Sequence, residues 1–91
     1  MIKSGSFEFD PLDRIYLTHL PGRPVVPGVL VIRSFVEQLP PGSFSIETFG
    51  FERFAAPGSY EFRIKEEEGR YLCWMGKGGT TYARGKISRC L

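Results

Sequence analysis

The sequence predicts an α+β domain in which one antiparallel sheet packs around a single buried helix. Three observations carry this expectation. All seven prolines fall within the first 57 residues, which leaves residues 58–91 free to form uninterrupted strands. Within that part Tyr60, Phe62 and Ile64 alternate with Glu61, Arg63 and Lys65, the period of two of a half-buried strand. Finally, residues 29–39 contain neither Gly nor Pro and are framed by Pro27-Gly28 and Pro40-Pro41, the signals that open and close a helix of about three turns.

Composition sets the limits. Ninety-one residues, 42% hydrophobic and 24% charged, describe one domain spanning 1–91. A chain this short buries only roughly 60–65% of the surface that its unfolded form exposes, so the core is thin and self-association is expected to supplement it. Cys73 and Cys90 are too few for a disulfide scaffold, and no charged segment followed by an apolar one opens the chain, so the expected compartment is the reducing cytoplasm. The longest aliphatic stretch, residues 29–32, falls far short of the ~20 residues that cross a bilayer, and no internal repeat recurs. The net charge of +2 divides unevenly: residues 69–91 carry Arg70, Lys77, Arg84, Lys86 and Arg89 with no acid, leaving −3 for the rest. A dispersed positive face of this kind suits an acidic protein partner. It does not suit nucleic acid, because no aromatic RNP-type motif or Cys/His finger accompanies it.

The elements follow in order. Residues 7–10 alternate apolar and polar and then meet Pro11, which predicts a short strand closed by a turn. Residues 12–18 are ambiguous between helix and strand. From His19 to Gly28 three prolines and two glycines forbid both helix and a paired central strand, leaving a stiff, shaped loop. The helix that follows is apolar on nearly every side, with only Arg33, Ser34, Glu37 and Gln38 polar, so burial all round is expected. Phe44 and Ile46 then alternate in one phase and Phe49 and Phe51 in the other, which predicts a bulge near residues 48–50. Residues 66–69 form the turn after the strand at 60–64. Residues 71–75 are apolar on both faces, as in a central strand covered on both sides, and residues 76–79 end it. A last strand spans residues 80–88.

The loop and helix carry the chemistry. His19-Leu-Pro-Gly-Arg-Pro-Val-Val-Pro-Gly-Val-Leu30 resembles the signature of the hotdog-fold β-hydroxyacyl-(acyl carrier protein) dehydratases, which act in fatty-acid synthesis. The shared pattern is a His, a Pro-Gly, and a second Pro-Gly opening the central helix, with nine residues from His19 to Gly28. A weaker match, Phe54-Ala-Ala-Pro-Gly58, is similar to a Pro-Gly turn in the same family. The resemblance implies a dimeric hotdog fold and a hydro-lyase acting on 3-hydroxyacyl thioesters in fatty-acid or polyketide-type synthesis. It implies no cofactor of the protein's own, because the phosphopantetheine arm belongs to the substrate, whether acyl-carrier protein or acyl-CoA.

Eliminating water from such a thioester requires removing a weakly acidic proton beside the carbonyl, stabilising enolate-like charge, and protonating the departing hydroxyl. His19, the only histidine, has an ordinary pKa of about 6.5 and is the candidate base. Gly28 offers an unobstructed N–H at the positive end of the helix dipole for the thioester oxygen. In the family the helix also presents a carboxylate five residues after this glycine. Here that position is Arg33, a permanent cation. Glu37, one turn further on the same stripe, either substitutes for the missing acid or pairs with Arg33, and Arg33 is itself a candidate to bind an anionic part of the substrate. An acyl tunnel lined by Phe35, Phe51 and Phe54 is expected. Cys73, beside Trp74 and Met75, reads as core, and no cluster suggests a metal site. The alternatives to a self-sufficient dehydratase are an accessory hotdog subunit, which takes its carboxylate from a partner in a heterodimer, and an acyl thioesterase.

Overall fold

The computed structural model describes residues 2–12 and 25–90. Five strands and one helix follow one another as β1 (Ile2–Phe9), α1 (Gly28–Glu37), β2 (Phe44–Phe51), β3 (Gly58–Glu67), β4 (Arg70–Lys77) and β5 (Thr80–Arg89). All five strands join one antiparallel sheet in the order β1-β3-β4-β5-β2, with the helix against one face.

The alternating pattern of residues 60–64 becomes the inward face of β3, where Tyr60, Phe62 and Ile64 are all buried. Both hairpins that follow turn through two residues with positive φ, Glu68-Gly69 and Gly78-Gly79. Such turns carry the backbone twist that matches the strands they join. Their glycines adopt it freely, whereas Glu68 holds φ +50 with a side chain attached. The strands therefore run further than the turn signals suggest: β3 reaches Glu67, and β4 includes Gly76 and Lys77.

Other expectations are corrected in the same physical terms. The first strand begins at Ile2 rather than at Phe7, because its polar first half pairs with β3, for example Lys3 with Ile64 and Gly5 with Phe62. The bulge lies at Glu47, between the pairs Ile46↔Ile87 and Thr48↔Lys86, one residue earlier than the hydrophobic phase slip suggests. The helix ends at Glu37, and Gln38 caps it with an N–H shared between Phe35 and Val36. Strand β4 is central but covered on one side only. Tyr71, Cys73 and Met75 are buried, while Leu72 and Trp74 point to the outer face and stay half-buried. There the Arg63 guanidinium lies 4.4 Å from the Trp74 ring centre, and Trp74 Nε1 donates to Thr81 Oγ1 at 2.8 Å.

The helix, too, is buried on one stripe rather than all round. Val31 and Phe35 are buried, whereas Val29 is 69% exposed. Strand β2, at one end of the sheet, is similar: of its four large apolar residues Phe44 and Phe49 are half-buried, and Ile46 and Phe51 are exposed. No helix among the described residues is long and apolar enough to cross a membrane.

Placing Glu68 in the left-handed region costs roughly 1 kcal/mol, and asparagine tolerates that region far better. Glu68→Asn should therefore stabilise the chain by up to about 1 kcal/mol. Thermal unfolding would show this as a rise in Tm, and a fall would contradict the turn geometry.

Candidate functional site: an apolar cleft at the start of the helix

The C-terminal end of the shaped loop is stitched to the 54–58 segment: Val26 N–H donates to the Ala55 carbonyl at 2.7 Å, and both residues are buried. This contact brings the two Pro-Gly segments of the sequence side by side. Pro27 then opens the helix, its carbonyl accepting from the N–H groups of Leu30 and Val31. As the first two helical residues, Gly28 and Val29 have amides with no acceptor inside the helix, and no acidic residue occupies the first turn.

A cleft of about 310 Å³ opens at this helix start. Val31 and Met75, each 1% exposed, form its bottom; Val25, Val26, Pro27 and Gly28 line it from the loop and helix, and Phe51, Arg53, Phe54, Ala55 and Tyr82 from the sheet side. Phe51 is 47% exposed and Phe54 88%, which places them at the rim. The absence of a side chain on Gly28 matters here, because a Cβ would sit 2.8 Å from the tip of the Phe51 ring. Glycine thus lets the ring and the cleft lie directly against the helix start.

The structure disperses the remaining candidates. His19 lies outside the described residues. Phe35 is fully buried in the core and is not part of the cleft lining. Arg33 and Glu37 form an i, i+4 ion pair, Nε to Oε1 at 3.1 Å, with both side chains largely exposed. Neither lines the cleft; they continue the solvent-facing stripe that begins at Val29. Among the described residues, then, the cleft holds no carboxylate at all. Arg53, which sequence reasoning passed over, is its one charged lining residue among those described. The sequence gives no signal for it, since its place depends on how the 52–57 segment folds back.

Two of the five cations of the C-terminal third are paired with acids. Arg70 pairs with Glu47 at 3.1 Å and Arg84 with Glu52 at 3.0 Å, while Lys77 Nζ lies 4.9 Å from the Tyr60 ring centre. The dispersed positive face that the sequence suggests is therefore partly offset by Glu47 of β2 and by Glu52, which follows that strand. Among the described residues no group of His, Cys, Asp or Glu could hold a metal ion.

Burial pushes the Cys73 thiol up from the ordinary 9.0 to about 12, so it is neutral and inert. Burial, followed by a hydrogen bond to Glu66 and that residue's charge, raises the Tyr71 phenol as well. Both folded-state values lie above the unfolded ones, so each contribution to stability is lost as pH rises; that of Cys73 is intact below about pH 9 and is lost from there through about 12. At pH 8 a thiol reagent should modify the exposed Cys90 quickly and Cys73 only on unfolding. Two fast thiols would contradict this placement.

No protein-family model matches the sequence, and no curated protein matches it. Among solved structures the chain is similar to the dehydratase heterocomplex ApeI:P from Xenorhabdus doucetiae. The match covers 99% of this chain and 88% of that one, at 27% identity and a TM-score of 0.85. It is also similar to a mutant of the fluoroacetyl-CoA-specific thioesterase FlK, covering 99% and 84%, at 15% identity and a TM-score of 0.58, which shows the fold alone. An antiparallel five-stranded sheet with one helix against it, a Pro-Gly helix start beside an apolar cleft, and a likeness to a dehydratase chain over 99% of this one support a hotdog-fold, dehydratase-like protein.

Proposed function

We propose that the chain is the acyl-binding, accessory subunit of a dehydratase-type hotdog heterodimer acting on 3-hydroxyacyl thioesters. The observation that carries this reading is the missing acid. Dehydration needs a proton taken from the carbon beside the carbonyl, charge stabilised on the carbonyl oxygen, and a proton given to the leaving hydroxyl as its C–O bond breaks. The described cleft offers apolar walls and the Gly28 N–H at the positive helix end, which serve the acyl group and its carbonyl oxygen. It offers no carboxylate for the remaining proton step, and the helix position that would supply one carries Arg33, tied to Glu37 at the surface. A partner chain that faces the Val29–Arg33–Glu37 stripe would bring its own acid to the site. His19 keeps the role of base that the resemblance implies.

Two further features favour a hotdog partner. Strand β2 is an edge with exposed apolar residues, and it has neither the proline nor the lysine that commonly protect such edges. The similar ApeI:P structure is itself a heterocomplex. The acyl group would arrive on a phosphopantetheine arm, from carrier protein or CoA, in the cytoplasm. Of the cations of β4 and β5, Lys77, Lys86 and Arg89 have no ion pair among the described residues and are the charge that an acidic carrier protein would meet.

The test is an assay of the purified chain for enoyl product from a 3-hydroxyacyl thioester. The natural chain alone should show no turnover, and mixing it with a hotdog partner that carries the helix carboxylate should give turnover that His19→Ala in this chain abolishes. Turnover by the unmodified chain alone would overturn the accessory reading in favour of a self-sufficient hydro-lyase.

A further inference from the structure

Among the described lining residues of the cleft only Tyr82 and Arg53 carry polar side chains. Arg53 is exposed and has no ion pair among the described residues, in contrast to Arg33, Lys65, Arg70 and Arg84, each held by a glutamate. Its backbone is fixed, because the N–H groups of Glu52 and Arg53 both donate to the Tyr82 carbonyl, at 2.8 and 3.4 Å. Arg53 thus lines, beside Phe51 and Phe54, a cleft that can take an apolar group, and among the described residues neither an ion-pair partner nor an acid in the lining neutralises it. Guanidinium recognises carboxylate and phosphate through paired, charge-assisted hydrogen bonds, and low-dielectric apolar walls strengthen them.

We infer that Arg53 is an anion-binding residue of the cleft, selecting ligands that combine a short apolar chain with a carboxylate or phosphate. The inference rests on the acyl-thioester reading only for the source of the anion. About 310 Å³ lies at the small end of the roughly 300–1,000 Å³ typical of ligand cavities, which suits an acyl chain of modest length. In a thioester ligand the anion is either the phosphate of the arm or a carboxylate at the far end of the acyl group.

Calorimetric titration of the full chain separates these cases. Octanoate should bind about tenfold more tightly than octanol, and Arg53→Gln should remove that preference while leaving octanol binding unchanged. The source follows from octanoyl-pantetheine measured against octanoyl-phosphopantetheine, and against the pantetheine monothioester of octanedioic acid. An advantage for the first anionic ligand assigns the arm phosphate, and for the second the acyl carboxylate. Failure of all three thioesters to bind, with octanoate binding still dependent on Arg53, would remove the acyl-thioester reading and leave the anion site standing. The inference is overturned if octanoate shows no preference over octanol, or if its preference survives Arg53→Gln.

Discussion

The ring of Phe35 ties the helix to three of the five strands. It meets Phe7 of β1 edge-on at 4.9 Å, Phe49 of β2 at 5.6 Å and Phe62 of β3 at 6.2 Å, and it is completely buried. Phe7 and Phe62 stack on each other at 4.3 Å beneath it. Truncating a ring in such a position costs about 3–5 kcal/mol, a large part of the 5–15 kcal/mol that holds a typical domain together. One turn earlier Val31 fills the next place on the same stripe and forms part of the bottom of the cleft. The contact that anchors the helix therefore also sets where Gly28 and its free amide stand.

Anchoring by one stripe has a consequence for the opposite one. With Val31 and Phe35 turned to the sheet, Val29, Arg33 and Glu37 face outward, and so the helix position where the sequence resemblance implies an acid does not line the described cleft. The exposed edge of β2 runs beside the same helix, close enough for the Phe51 ring to rest against Gly28. Apolar surface, an open strand edge and a cleft with no carboxylate among its described lining residues thus lie together. A second hotdog chain would relieve all three at once by covering the surface, pairing the edge and adding the acid.

Much of the fold is legible in the sequence where local chemistry and tertiary environment agree. The alternation at Tyr60, Phe62 and Ile64 reports a sheet face directly, and Pro27-Gly28 and Pro40-Pro41 bracket the helix because proline's missing N–H limits where a helix can run. The rest depends on partners distant in sequence. Residues 2–6 look like no strand and are one because β3 lies beside them. The all-apolar look of the helix and of β4 suggests burial on every side, yet a single helix on a single sheet covers one face of each. The basic C-terminal third shows five cations and no acid in sequence, and only the fold brings Glu47 and Glu52 to Arg70 and Arg84. Gly28 and the 54–58 turn are legible through their motif, whereas Arg53 joins the cleft only through the fold of its loop.

The central claim is that a second chain covers the β2 edge and the outward stripe of the helix. Amide hydrogen exchange of β2 over a range of concentrations, with and without a hotdog partner that carries the helix carboxylate, tests it most directly. Amides of residues 44–51 should exchange fast in the dilute single chain and become protected as chains associate, most strongly with the acid-bearing partner. Exchange in β2 that is unaffected by concentration and by the partner, in a chain that stays folded alone, would contradict it.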